Sequence, residues 1–459
     1  MLPVVEGEAP APPGPRGRRL LGSLLAVRRD KIRFVERAFR EHGDVVGFSM
    51  GPGRRLILIH HPEGVRHVLR EREPGFVKGI GYREAEPLLG AGLLTAEGAA
   101  WRGQRDRMRV AFRRSAMTSY AAVMGGAAVD LAERWRGAAE AGETVDLAAE
   151  ATRYTLEVLG RTLFGCDLAG RAGAITHDLD RVVRWAMRRM TGVVRPPLGL
   201  PTPANLACRR SLARLARLAD ELVAEARAGG GSALPWSDGP ERRDEVLTLL
   251  LAGHETTAVS LAWTCHLLAW HPEAREEVEA EARAVLAGRA PGFDDLPHLP
   301  AARAAVEEAI RLYPPVWMIT RRALADDEVM GYRVPRGADL LVSVYTLHRH
   351  PAFWSDPEAF RPQRFRGGPP RPAGSYIPFG HGPRACLGSA FGLMEATLAV
   401  AALAGRWRLE PAPGPAHGAW SPGGREASPR TGSVPPVALD ALLTLHPRGP
   451  LPVRPRPLG

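Results

Sequence analysis

A mainly α fold with a smaller β-rich part (α+β) is what the sequence predicts, on three observations. Between Trp101 and about Ala228, Ala, Leu, Arg and Glu recur at helical spacing, which gives several amphipathic helices. Residues 246–270 form a 25-residue run that is apolar on nearly every face. Strand signals are sparse and early, where residues 45–50 and 55–59 flank Gly51-Pro52-Gly53 as a β-hairpin.

The elements follow in order. Residues 1–17, rich in Pro, Gly and Ala, read as an irregular lead-in, with structure starting near Leu20. The hairpin is followed by a helical stretch at 62–70. The helices after Trp101 are broken at Pro196-Pro197 and again from Pro201 to Pro203, and a breaker-rich loop spans 229–240. The apolar run that follows is either a core helix or a membrane span. Its midpoint, Gly253-His254-Glu255-Thr256-Thr257, decides for a core helix, because a charge at a bilayer centre costs about 2.5–3.5 kcal/mol. His271-Pro272 stops it. A second apolar helical run occupies 389–403, a Gly/Pro-rich stretch fills about 411–438, and residues 442–445 (Leu-Leu-Thr-Leu) are a strand candidate.

Composition narrows the function classes. The 459 residues are 45% hydrophobic and 24% charged, ordinary for a globular chain with a sizeable core. The net charge is +11, carried by Arg apart from Lys31 and Lys78, but no basic block interleaved with aromatics is present, so nucleic acid is not an expected partner. Cys166, Cys208, Cys265 and Cys386 form no CxxC pair, which argues against a disulfide framework or a structural zinc site. The faintly signal-like start at Arg16 is cut short by Arg28, Arg29 and Asp30, and no N-terminal run of about 20 apolar residues forms an anchor, so a cytoplasmic protein is expected.

Chemistry concentrates at Phe379-Gly-His-Gly-Pro-Arg384-Ala-Cys386-Leu-Gly388, just ahead of the 389–403 helix. At a helix N-terminus, free N–H groups and the dipole favour a thiolate and lower the Cys386 pKa. The glycines let the loop turn tightly against a flat ligand, and Arg384 offers a fixed cation for a carboxylate. Cys166, Cys208 and Cys265 read as packing residues. In the long helix, Gly253 removes a side chain, and a mid-helix Thr can bond a preceding carbonyl and open a small groove. Gly47-x-Ser49-x-Gly51 fits a serine-hydrolase elbow in letters only, since a second strand follows instead of a helix. His254-Glu255 begins like a zinc-peptidase motif, but Ala258 stands where the second His belongs.

The Cys386 loop matches F-G-x-G-x-R-x-C-x-G at every specified position and so resembles the haem-ligand loop of the cytochrome P-450 superfamily. Four further stretches agree in family order: Ala252–Thr257, Glu308-x-x-Arg311 with Arg364, Trp101-x-x-x-Arg105, and Arg321 ahead of Gly331. The resemblance covers about residues 15–410 and 442–454. It implies a triangular single domain over 18–459, with haem b (iron protoporphyrin IX) between the two apolar helices. It further implies Cys386 as iron ligand, with Trp101, Arg105, Arg321, Phe379, Arg384 and Gly388 binding the cofactor, and His348 as a structural or propionate-side residue. Glu255 and Thr256 would serve dioxygen and proton handling, and Glu308, Arg311 and Arg364 a structural ion network. The pocket by family position is Phe76, Leu94, Leu249, Ala252, Val316, Trp317, Met318 and Ile319, so an apolar small molecule is implied. The stretch from Val316 to Pro351 resembles terpene-hydroxylating members of secondary metabolism, with fatty acid or polyketide next. Electrons would come from NAD(P)H through a ferredoxin and its reductase, to a monomer. A non-catalytic haem protein and a peroxide-driven peroxygenase are the alternatives. Two departures stand out: the short 229–243 loop and the 411–438 insertion.

Overall fold

The computed structural model describes residues 9–18, 20–192, 195–229, 234, 239, 241–367, 371–412 and 437–458. Its first half is α1 (Leu24–Arg29), α2 (Lys31–His42), β1 (Val45–Ser49), β2 (Arg55–Ile59), α3 (Pro62–Arg66), β3 (Phe76–Lys78), α4 (Ile80–Leu89), α5 (Gly98–Met108), α6 (Arg114–Arg134), α7 (Arg136–Ala141), β4 (Val145–Asp146), α8 (Leu147–Leu159), α9 (Ala172–Met190) and α10 (Pro203–Gly229). The second half is α11 (Glu241–Trp270), α12 (Pro272–Leu286), α13 (Pro300–Leu312), β5 (Met318–Ala323), β6 (Asp327–Val329), β7 (Tyr332–Val334), β8 (Asp339–Ser343), α14 (Val344–Leu347), α15 (Ser389–Ala404), β9 (Trp407–Pro411), β10 (Leu439–Ala441), β11 (Leu445–Pro447) and β12 (Pro452–Pro457). The mainly helical class and the early hairpin are as the sequence predicts.

The organising element is α11, five residues longer at its start than the apolar run. Glu241 and Asp244 lie in its first turn, where carboxylates favour the helix dipole. From Glu245 to Ala269 every residue is buried except Ala252, Gly253, Glu255 and Thr256. The helix packs against α8, α13 and α15, and most of its apolar window lies inside the protein, as the core-helix reading requires. Pro272, lacking an N–H, serves as the first residue of α12 and ends α11 at Trp270. Gly253 does more than open a groove. A Cβ there would stand 2.8 Å from Leu159 Cδ1, so the glycine lets α8 and α11 approach closely.

The main sheet runs β1-β2-β8-β5-β3, with β2 and β8 parallel and the other pairs antiparallel. Ser49 sits in a hairpin turn, its Oγ donating to the Gly51 carbonyl at 2.9 Å, and no helix follows to make an elbow. The lead-in is less free than its composition suggests. Gly47 N–H donates to the Pro13 carbonyl and Arg333 N–H to the Pro10 carbonyl, so the chain is pinned to β1 and β7 before Leu20.

The ion network expected at Glu308 forms in full. Arg311 donates from Nε and Nη2 to the two Glu308 oxygens at 2.7 and 2.8 Å, and Arg364 Nε donates to Oε1 at 2.9 Å. Glu308 and Arg311 have no exposed side-chain surface. His348 belongs to this region, its Nε2 accepting from Ile377 N–H at 2.9 Å. The strand candidate at 442–445 is corrected: Leu442, Leu443 and Thr444 form the turn between β10 and β11. Most of the 411–438 insertion and of the 229–243 loop lies outside the described residues.

Candidate active site

The residues that interrupt the burial of α11 open onto a cavity of about 400 Å³ with mostly apolar walls. Opposite them stands the Cys386 loop. Gly380 and Gly382 take left-handed conformations (φ 77° and 74°), and a Cβ on Gly382 would run into the Leu69 carbonyl. Cys386 N–H donates to the Phe379 carbonyl at 2.8 Å, which closes the loop just ahead of α15. The thiol is accessible from the cavity. The expected lowering of its pKa is not found. Burial pushes the thiol up, against the opposing pull of Gly388 N–H and the Arg105 cation, because the surrounding protein removes more water than the helix end replaces.

Trp101, Arg105, Arg321, Phe379, Arg384 and Gly388 all line the cavity. The Arg384 and Arg105 guanidiniums lie 5.0 and 5.6 Å from the Trp101 ring. Arg384 meets carboxylates, as anticipated, but they are the protein's own: its Nε contacts Glu73, and its Nη1 lies 2.5 Å from Glu97. Arg321 is buried, with Nη1 donating to the Thr320 carbonyl at 3.0 Å and Nε without a partner among the described residues. The cavity lining therefore carries three guanidiniums and an accessible thiol. This donor set fits an iron porphyrin with a thiolate ligand and two carboxylates. Lys78, which sequence reading missed, lies near them: burial lowers its pKa to about 7, and Nζ donates to the Leu93 and Ala96 carbonyls at 2.8 and 2.6 Å.

Seven of the eight expected pocket residues, Leu94, Leu249, Ala252, Val316, Trp317, Met318 and Ile319, line the cavity. Phe76 does not. Its strand pairs with β5 at Ala323, and the ring is 1% exposed in a separate core, 6.4 Å from the His67 ring. Sequence reading also missed the tip of the β10–β11 hairpin, which enters the cavity at Leu442, Leu443 and Thr444. Trp317 Nε1 donates to the Leu442 carbonyl at 2.9 Å. Thr256 Oγ1 donates to the Ala252 carbonyl at 2.9 Å, the back-bond foreseen from sequence. Glu255 turns away to the hairpin, where Thr444 Oγ1 and His446 Nε2 lie 2.8 and 2.6 Å from its Oε1. These bonds outweigh burial and hold its carboxyl below the usual range.

The sequence model of the cytochrome P-450 family matches residues 12–229 and 239–417. The chain belongs to that family. Cyclooctatin synthase of Streptomyces melanosporofaciens is 38% identical over 421 residues, 87% of this chain and 90% of that one. Cyclooctat-9-en-7-ol 5-monooxygenase of the same organism is 35% identical over 441 residues, 90% and 94% of the two chains. Pentalenene oxygenase of Streptomyces avermitilis is 32% identical over 409 residues, 85% and 89% of the two. This P-450 is a haem-thiolate monooxygenase, and its family implies haem iron, dioxygen and a supply of electrons.

Proposed function

We propose that this P-450 hydroxylates terpene hydrocarbons or terpenoids in secondary metabolism. The observation that carries the reading is the break in α11, where Ala252, Gly253, Glu255 and Thr256 face the same apolar cavity as Cys386. Relatives named for cyclooctatin and pentalenene chemistry support the substrate class. Cys386 would supply the thiolate that holds the haem iron. Arg105, Arg321 and Arg384, with Trp101, would hold the haem carboxylates, for which Arg offers charge-assisted hydrogen bonds. Haem bound there supplies oxygen activation, using dioxygen, two electrons and two protons to place one oxygen atom in a C–H bond and release the other as water. Phe379 and Gly388 shape the loop around the ligand.

The chain's own work is binding and proton control. Leu94, Leu249, Ala252, Val316, Trp317, Met318 and Ile319 exclude water and orient an apolar skeleton by shape, because they offer it few polar anchors. Thr256 presents a hydroxyl oxygen at the cavity, and Glu255 passes protons inward. Electrons come from NAD(P)H through a ferredoxin and its reductase. The protein works as a cytoplasmic monomer, one domain over residues 18–459.

The test is the carbon monoxide spectrum of the reduced protein beside that of Cys386→Ser. A strongly red-shifted Soret band in the first and its loss in the second are expected, followed by oxygenated product from terpene hydrocarbons. A band that survives Cys386→Ser overturns the ligand assignment. Turnover with peroxide but none with reductant and redox proteins would replace the reading with a peroxygenase.

A further inference from the structure

Glu255 is the only ionisable residue among the four that interrupt the burial of α11, and its partner comes from 191 residues away. Both His446 Nε2 and Thr444 Oγ1 reach Glu255 Oε1, and they stand 2.6 Å from each other. The Glu255 side chain is 16% exposed and that of His446 is 31% exposed. Glu255 and Thr444 belong to the cavity wall, whereas His446 stands beyond that wall and is partly exposed. The three side chains therefore run from cavity to surface.

The hairpin that carries His446 is anchored on every side. Leu445 N–H donates to the Pro315 carbonyl at 3.0 Å, Lys31 Nζ donates to the Ala441 carbonyl at 2.7 Å, and Arg184 pairs with Asp440 at 2.8 Å. Trp317 holds the turn at Leu442. Within α11 itself nothing competes for Glu255. Thr256 is committed to Ala252, and His254 is buried, bonded to the Leu250 carbonyl.

We propose that His446 is the positioning residue for proton delivery at this site, fixing the Glu255 carboxylate in the cavity wall and linking it to outside water. The proposal rests on the assignment of Glu255 to proton transfer made above. The ring takes a proton from water at its outer edge and gives its Nε2 proton to Glu255 Oε1. Glu255 then releases one proton to the cavity, and the ring, left with a proton on Nδ1, regains its starting tautomer by turning outward, where Nε2 takes a proton from water and Nδ1 returns one to water. One proton enters, one leaves, and no electrons move. Thr444 keeps the acceptor oxygen aligned while the imidazole turns.

The experiment compares wild type, Glu255→Gln, His446→Gln and the double variant as loaded enzymes with redox partners and substrate. His446→Gln is expected to lower kcat by roughly a hundredfold with KM unchanged, the lower end of the range of positioned proton transfer. The double variant should be no slower than Glu255→Gln alone, because both substitutions break one path. Independently of turnover, histidine-labelled protein should show a downfield imidazole N–H resonance, lost in His446→Gln and shifted upfield in Glu255→Gln. If Glu255→Gln slows turnover while His446→Gln leaves kcat and product per electron unchanged, the role of His446 is overturned and that of Glu255 stands. Multiplicative losses in the double variant, or a resonance indifferent to Glu255→Gln, also overturn it. If Glu255→Gln has no effect, the proton role of Glu255 itself falls.

Discussion

At the scale of single residues, the site depends on where a few hydroxyls and charges point. The Thr256 hydroxyl donates its hydrogen bond to the Ala252 carbonyl, so its oxygen is left to accept one at the cavity. Thr256→Ala should therefore lower the rate of product formation by about a hundredfold, the lower end of what positioned proton transfer contributes, while electron consumption continues and appears as hydrogen peroxide. Product per NAD(P)H measures this directly, and an unchanged ratio removes Thr256 from the proton path. Sequence made Cys386, Glu255 and Thr256 legible because each lies in a local pattern. The pairing of Glu255 with His446 was not legible, since no local rule joins positions 191 apart. Arg384 was legible as a cation for carboxylates, but its contacts with Glu73 and Glu97 come from packing that spacing does not encode.

At the scale of elements, α11 and the β10–β11 hairpin divide the work. The helix was readable to the residue at its end and five residues late at its start, since an all-round apolar run with one polar interruption leaves little choice but the polar first turn carries no such signal. The hairpin was misread because Leu-Leu-Thr-Leu has the composition of a strand. Here Leu442 and Leu443 are needed at a turn, where they line a cavity, and only Leu445 enters a strand. Phe76 failed for a related reason: alternation tells which residues share a face, but not which face meets the cavity. The Trp317 bond to Leu442 ties the turn to β5. Trp317→Phe removes that donor and should lower stability by about 1 kcal/mol, read from denaturant midpoints at unchanged slope. An unaltered midpoint would mean that the turn holds its place without the indole.

At the scale of the whole molecule, buried imidazoles set the acid limit. His60 is fully buried beside Thr346 and His350, and burial lowers its pKa to about 3, while burial and nearby Arg311 hold His348 well below its ordinary value. For His60 the unfolded chain binds a proton below about pH 6.5 and the native state only below about 3. Stability from this source is therefore intact above pH 6.5 and is lost progressively as the pH falls toward 3. Unfolding free energy against pH should show this slope, and His60→Asn should flatten it; an equal slope in the variant would assign the loss to carboxylates. The mainly helical class and the order of its motifs were legible across the chain, because helical periodicity and the Cys386 loop are local signals. The joining of distant segments into one cavity was not.

The cavity draws its wall from α5, β5, α11 and the loop before α15, but its last side is Leu442–Thr444, near the end of the chain. Leu442–Thr444 sits on a turn and not on a helix, so its side chains can change in size, and with them the room left for a substrate, without moving the backbone that carries Cys386 or Glu255.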